Sequence, residues 1–150
     1  MKEYYRRLLE GADEDGCYEF PSEFNGGDVE KRARAVFAGI QSLMVVCRFE
    51  GWMDNQDASF GLAIILDEYS KEIESGLTVV PIVRFSNFGS LATITFIDQI
   101  SSESLAKIQA LLSEYGFHYI PEEVAHTKYD GVMKGNPAFP TWWVRYFDWI

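Results

Sequence analysis

A chain of 150 residues, 47% hydrophobic and 15% aromatic, is most simply one globular domain. It is long enough to bury roughly 70% of the surface its unfolded form exposes, so it needs no disulfide or metal support. A formal net charge of −10 argues against nucleic acid as a direct partner, because duplex binding rests on Lys and Arg against phosphate. Two cysteines, Cys17 and Cys47, are too few for a disulfide framework.

The opening Met1-Lys-Glu-Tyr-Tyr-Arg-Arg is charged and lacks the apolar segment of a signal peptide. No stretch approaches the ~18 to 20 apolar residues of a membrane span. The expectation is a soluble protein of the reduced cytoplasm.

Glu3 to Leu9 reads as a short helix ended by Gly11. From Glu10 to Asp28 the chain carries seven acids, Glu10, Asp13, Glu14, Asp15, Glu19, Glu23 and Asp28, and no base, with Tyr18, Phe20 and Phe24 threaded between them. This loop dominates the charge: residues 1–75 hold 16 acids against 8 bases, residues 76–150 only 7 against 5. After the turn Asn25-Gly26-Gly27, Val29, Ala33, Val36, Phe37, Ile40, Leu43, Met44 and Cys47 recur at helical spacing, with Asp28 as N-cap. The end of that helix stays open, since 44–49 also reads as a strand.

Gly51 to Gln56 is a break. Asp57 or Ser59 then caps a further helix carrying Leu62, Ile65, Leu66, Tyr69 and Ile73, although the apolar run 62–66 also allows a strand. Leu77 to Phe85 and Ser90 to Ile97 are β-rich and flank the turn Ser86-Asn-Phe-Gly89, which predicts a hairpin. Pro81 places its first strand at an edge or a bulge. Ser101 or Ser102 caps a helix through Tyr115, closed by Gly116, and Phe117 to Ile120 is a short strand. Residues 121–140 read as a long ordered loop.

The last ten residues, Thr141-Trp-Trp-Val-Arg-Tyr-Phe-Asp-Trp-Ile150, hold five aromatics and predict a docked strand. Trp143, Arg145, Phe147 and Trp149 would share one face, Trp142, Val144, Tyr146 and Asp148 the other. The fold class expected is α+β: one domain over 1–150, helical in its first half. An antiparallel sheet of about four strands in the second half would pack against the helices.

Chemistry-bearing patterns are sparse. Asp13, Asp15 and Gly16 resemble the middle of a calcium loop, but its first position would be Gly11 and its twelfth Ser22, neither of them a ligand. Cys17 and Cys47 have no Cys or His at zinc-ligand spacing. His118 and His126 are the two histidines, and no nucleophile elbow accompanies either. The adjacent pairs Glu122-Glu123 and Asp67-Glu68 do not face one another on a helix or a strand, as paired catalytic carboxylates must. The glycines match neither a P-loop nor a dinucleotide fingerprint. No metal and no cofactor is therefore expected.

Binding remains. In the segment 13–24, carboxylates can steer a basic partner and pair with its arginines while aromatics supply a desolvated anchor. The partner-binding residues expected are Asp13, Glu14, Asp15, Tyr18, Glu19, Phe20 and Glu23. The plainer alternative is a solvated acidic loop whose aromatics tuck into the core.

Tyr129-Asp130-Gly131 followed by Thr141-Trp-Trp-Val-Arg-Tyr-Phe-Asp-Trp149 looks like the tail of certain small bacterial proteins. In size, acidity and aromatic content the chain resembles immunity proteins of bacterial polymorphic toxin systems. That resemblance implies a cytoplasmic α+β inhibitor that occludes a basic protein and performs no chemistry, with no nucleic-acid or membrane partner of its own. Two other readings stand beside it. One is a small enzyme with an acidic pocket around His126, Tyr129 and Asp130. The other is a homodimer formed through the aromatic face of the last strand.

Overall fold

The computed structural model describes residues 1–51 and 61–148. Its elements run α1 (Glu3–Gly11), α2 (Gly26–Ser42), β1 (Arg48–Glu50), β2 (Leu62–Ile65), β3 (Lys71–Glu72), β4 (Thr78–Val79), β5 (Ile82–Phe85), β6 (Leu91–Ile94), α3 (Ser102–Glu114), β7 (His118–Tyr119), α4 (Glu122–Ala125) and α5 (Trp142–Tyr146). Single 3-10 turns occupy Asp67–Tyr69 and Ile97–Gln99. The α+β class is as expected. The main sheet has five strands in the order β1-β2-β5-β6-β7, and β3 and β4 form a separate pair. It is a mixed sheet: β7 runs parallel to β6, and the other pairings are antiparallel. The helix α3 makes the crossover that a parallel neighbour requires.

The first core lies between α2, α3 and one sheet face. Val29, Ala33, Val36 and Ile40 of α2 and Ile108 and Leu112 of α3 meet Leu62, Ile64, Val83, Phe85, Ala92 and Ile94. Asn25, not Asp28, caps α2, its side chain accepting from the Asp28 amide at 3.0 Å. The helix stops at Ser42, so Met44 adopts a left-handed φ of 64° and stands 87% exposed. Ser101 caps α3 by accepting from the Ser104 amide. Beyond its end Gly116 takes the φ of +82° that an L side chain resists.

Three expectations are corrected. Leu62–Ile65 forms a strand and no helix, and it lies buried between β1 and β5. A central strand covered on both faces reads as an unbroken apolar run, which mimics a helix segment. The caps proposed for that helix, Asp57 and Ser59, lie outside the described residues. Pro81 marks neither an edge nor a bulge. It separates β4 from β5, its carbonyl accepts from the Leu66 amide at 3.0 Å, and β5 sits in mid-sheet.

The third correction concerns the tail, where Trp142–Tyr146 is a helix. Thr141 caps it, its hydroxyl accepting from the Val144 amide. Helical spacing turns Trp142, Arg145 and Tyr146 inward together, and the rings of Trp142 and Tyr146 stack at 5.6 Å. With no strand there, the strand face on which the homodimer reading drew does not form; Trp149 and Ile150 lie outside the described residues.

The α5 helix belongs to a second core with Leu9, Phe88, Leu91, Ile120, Ala125, Tyr129, Phe139 and Phe147. It also reaches the sheet face opposite the first core. Arg84 of β5 donates to the Phe147 carbonyl and lies 5.4 Å from the Trp143 ring centroid, and burial pushes its pKa below the usual value. Cys17 and Cys47 are free thiols in different cores.

Candidate functional site

The acidic segment is fastened to α5 by one arginine. The Arg145 side chain is fully buried, and its Nε meets Asp13 Oδ1 at 2.9 Å, with the Asp13 side chain 1% exposed. Its remaining donors turn to the same segment. Nη2 donates to the carbonyls of Cys17 (2.8 Å) and Glu14 (3.2 Å), and Nη1 to that of Tyr18 (3.4 Å). The planar fork of arginine suits such a set, since its five N–H groups lie in fixed directions. Phe88, Phe139 and Tyr146 surround the guanidinium, their ring centroids 4.4, 5.0 and 5.4 Å away.

Asp13 is satisfied on its other side as well. Oδ2 accepts from the Tyr129 hydroxyl at 2.7 Å and from the Val132 amide at 3.0 Å. The Tyr129 oxygen in turn accepts from the Met133 amide at 3.0 Å. A single carboxylate thus ties three chain segments together, and the three hydrogen bonds it accepts offset the desolvation cost of burying its charge. Asp13 was expected at the partner-facing surface; it is turned inward and fully engaged.

The other expected residues divide by environment. Glu14 is half-buried, accepts from the Ser22 amide through both oxygens, and lies 3.5 Å from the Cys17 thiol. Hydrogen bonding from Ser22, first by its side chain and then by its backbone, holds the Glu14 carboxyl below the ordinary range. Desolvation pushes the Cys17 thiol up, and Glu14 adds to the effect. Asp15, Glu19 and Glu23 are exposed and have no ion-pair partner among the described residues. Tyr18 is 56% exposed. Its ring stands edge-on to Phe139 at 5.4 Å and its hydroxyl accepts from Asn136 Nδ2. Phe20 is half-buried against Phe24. The structure therefore brings Asp15, Tyr18 and Glu19 to one exposed stretch of loop and withdraws Asp13 from it.

The residues weighed for an enzymatic pocket do not converge. His126 stacks on Trp143 at 4.6 Å with Nε2 3.5 Å from Glu122. The Tyr129 hydroxyl is turned to Asp13, and Asp130 pairs with Arg6 at 3.1 Å. An open depression of about 330 Å³ lies beside the hub, lined by Glu10, Asp13, Asp130, Gly131, Val132 and Lys134. A smaller one of about 250 Å³ lies between α1, α3 and β7. No group of three metal-donor side chains occurs among the described residues, and no helix among them is long and apolar enough to cross a membrane.

Sequence reasoning placed Tyr129 beside His126 and Arg145 on a strand face, and missed that both meet Asp13. The signal available was a lone arginine inside an aromatic run. That leaves two outcomes, a charge that reaches solvent or one that finds a buried acid. Comparison with known protein families, with curated proteins and with solved structures finds no match to this chain.

Proposed function

We propose that this protein is a non-enzymatic binding protein of the immunity or antitoxin kind. It occludes a basic partner protein in a bacterial cytoplasm. The observation that supports this reading is the acidic, aromatic loop fixed from beneath by Arg145 while Asp15, Glu19 and Glu23 face solvent with no ion-pair partner among the described residues. A loop already ordered before encounter loses little conformational freedom on binding, and this improves affinity without added contact. Tyr18, more than half exposed on a rigid bed of Phe139 and Asn136, supplies the anchor.

The mechanism is steric and electrostatic. Surface carboxylates draw in a positively charged cleft and occupy the positions that substrate phosphates or carboxylates would take. Association of such pairs exceeds ~10⁸ M⁻¹s⁻¹ at low salt and slows steeply as salt rises.

The test is a pull-down from the native cytoplasm with the wild-type chain and with a variant carrying Asp15→Lys, Glu19→Lys and Glu23→Lys. The expected result is one basic protein captured by the wild type, released at high salt and absent from the variant. A partner held equally by both proteins removes the acidic loop from the reading. Recovery of the chain alone, or of its own second copy, rejects the inhibitor reading.

A further inference from the structure

Arg145 does more than neutralise Asp13. Between Ala12 and Asn25 the chain forms no regular secondary structure. It carries five carboxylates, and among the described residues the one ion pair to any of them runs from Arg145 to Asp13. Like charges in a short segment repel, and a loop with few buried apolar side chains has little to hold it in one shape. Against this, three backbone carbonyls of the loop, those of Glu14, Cys17 and Tyr18, converge on one guanidinium.

We propose that Arg145 is the positioning residue of the acidic loop. It sets the loop in its binding conformation before any partner arrives. Through Asp13 it also joins that loop, the 129–133 segment and α5 into one cooperative unit that opens as a whole. The functional half of this inference rests on the binding reading above; the cooperative unit stands without it. Lysine cannot take the role. Its ammonium could reach Asp13, but a single point of charge cannot span a carboxylate and three separate carbonyls, nor lie flat between Phe88 and Phe139.

Hydrogen exchange on the full chain tests the first half. In Arg145→Lys the amides of Cys17, Ser22, Val132 and Met133, all hydrogen-bonded in and around the loop, should exchange on the order of tenfold faster or more. Those of α2, β5 and β6 should keep their protection. Unchanged exchange at the four loop amides overturns the inference. Should Arg145→Lys fail to fold, the wild type alone decides through exchange at rising denaturant. The loop amides and those of Arg145 and Phe147 in the C-terminal segment should open with one common free energy. A loop that opens freely while the C-terminal helix stays closed overturns the cooperative unit.

An oligoarginine peptide is the probe for the functional half. Its affinity should fall on the order of tenfold in Arg145→Lys, with the same dependence on salt, because the exposed carboxylates are untouched. Equal affinity for both proteins overturns the positioning role in binding. A peptide that binds neither protein sinks the reading of a cationic partner, while the exchange result still decides the cooperative unit.

Discussion

Gly131 sits directly against the Asp13 carboxylate, with the Tyr129 ring on its other flank. A Cβ at this position would run into Asp13 Oδ2 and come within 2.7 Å of the Tyr129 hydroxyl oxygen. Space, not backbone conformation, demands glycine here. Gly131→Ala should therefore lower stability by about 1 to 3 kcal/mol, as overpacking does. Gly11, at the end of α1, has nothing within 4 Å of such a Cβ. Gly11→Ala should raise stability by about 0.4 to 1 kcal/mol. Urea unfolding midpoints check both, and equal midpoints for the two variants would contradict the geometry.

Removing one partner of the buried pair should be far more damaging than any surface change. Asp13→Ala strands the Arg145 guanidinium among Phe88, Phe139 and Tyr146 and should cost about 3 to 5 kcal/mol. A double-mutant cycle with Arg145→Met should return a coupling of about 1 to 3 kcal/mol. The exposed pair of Arg48 and Asp67 provides the contrast: Asp67→Asn should cost at most about 1 kcal/mol. A cycle at Asp13 and Arg145 with no coupling would show that the two side chains act independently.

Acid should loosen the loop before it unfolds the sheet. The folded Glu14 carboxyl titrates below its ordinary value of 4.5 because Ser22 bonds the charged form. The unfolded chain therefore takes up this proton first as pH falls. Its contribution is complete above pH 4.5 and is lost as pH drops through the folded value. Exchange at the Ser22 amide, taken relative to that of an unstructured chain at the same pH and followed through that range, should rise in the wild type. In Glu14→Gln it should start high and stay flat. A wild-type amide indifferent to acid would separate Glu14 from loop order.

Alkali should act on the other end of the same unit. Burial pushes the hydroxyls of Tyr119, Tyr129 and Tyr146 above the usual value of 10, and the Asp13 charge adds to this at Tyr129 and Tyr146. The folded state keeps these protons when the unfolded chain would release them. Their stabilisation is thus full below pH 10 and declines as pH rises beyond it. Near-ultraviolet absorbance should show these three ionising only as the fold is lost. A single titration of all eight tyrosines with the circular dichroism unchanged would refute this.

Local rules were enough for α3 and the β5–β6 hairpin and for the apolar face of α2, though not for its cap, which is Asn25 and not Asp28. Ser101 and Gly116 bracket α3, and the Ser86–Gly89 turn joins the alternating β5 to the fully buried β6. They failed where the chain is apolar on all sides. Leu62–Ile65 is an unbroken apolar run and Trp142–Tyr146 is apolar but for Arg145, and each took the structure that its neighbours imposed. For the first that was strand pairing on both edges. For the second it was a Thr141 cap and a core able to receive Trp142 and Tyr146 one helical turn apart. The loop was legible as acidic and aromatic, but not which acid would turn inward. Asp13 and Arg145 are 132 positions apart, and no local pattern links an acid to an arginine at that distance.

Leu9 has a partner set that reaches to Phe147. It is fully buried among Trp142, Tyr146 and Phe147, and its carbonyl accepts the Tyr146 hydroxyl. A ribosome delivers residues one after another, at roughly 5 to 20 per second. The first core, spanning Val29 to Phe117, is fully synthesised while Leu9 still waits for its neighbours. A nascent chain stalled ahead of Trp142 would therefore display a finished sheet with two helices on it and a second core open where Trp142, Tyr146 and Phe147 belong. That is a form for a chaperone to hold until the final segment emerges.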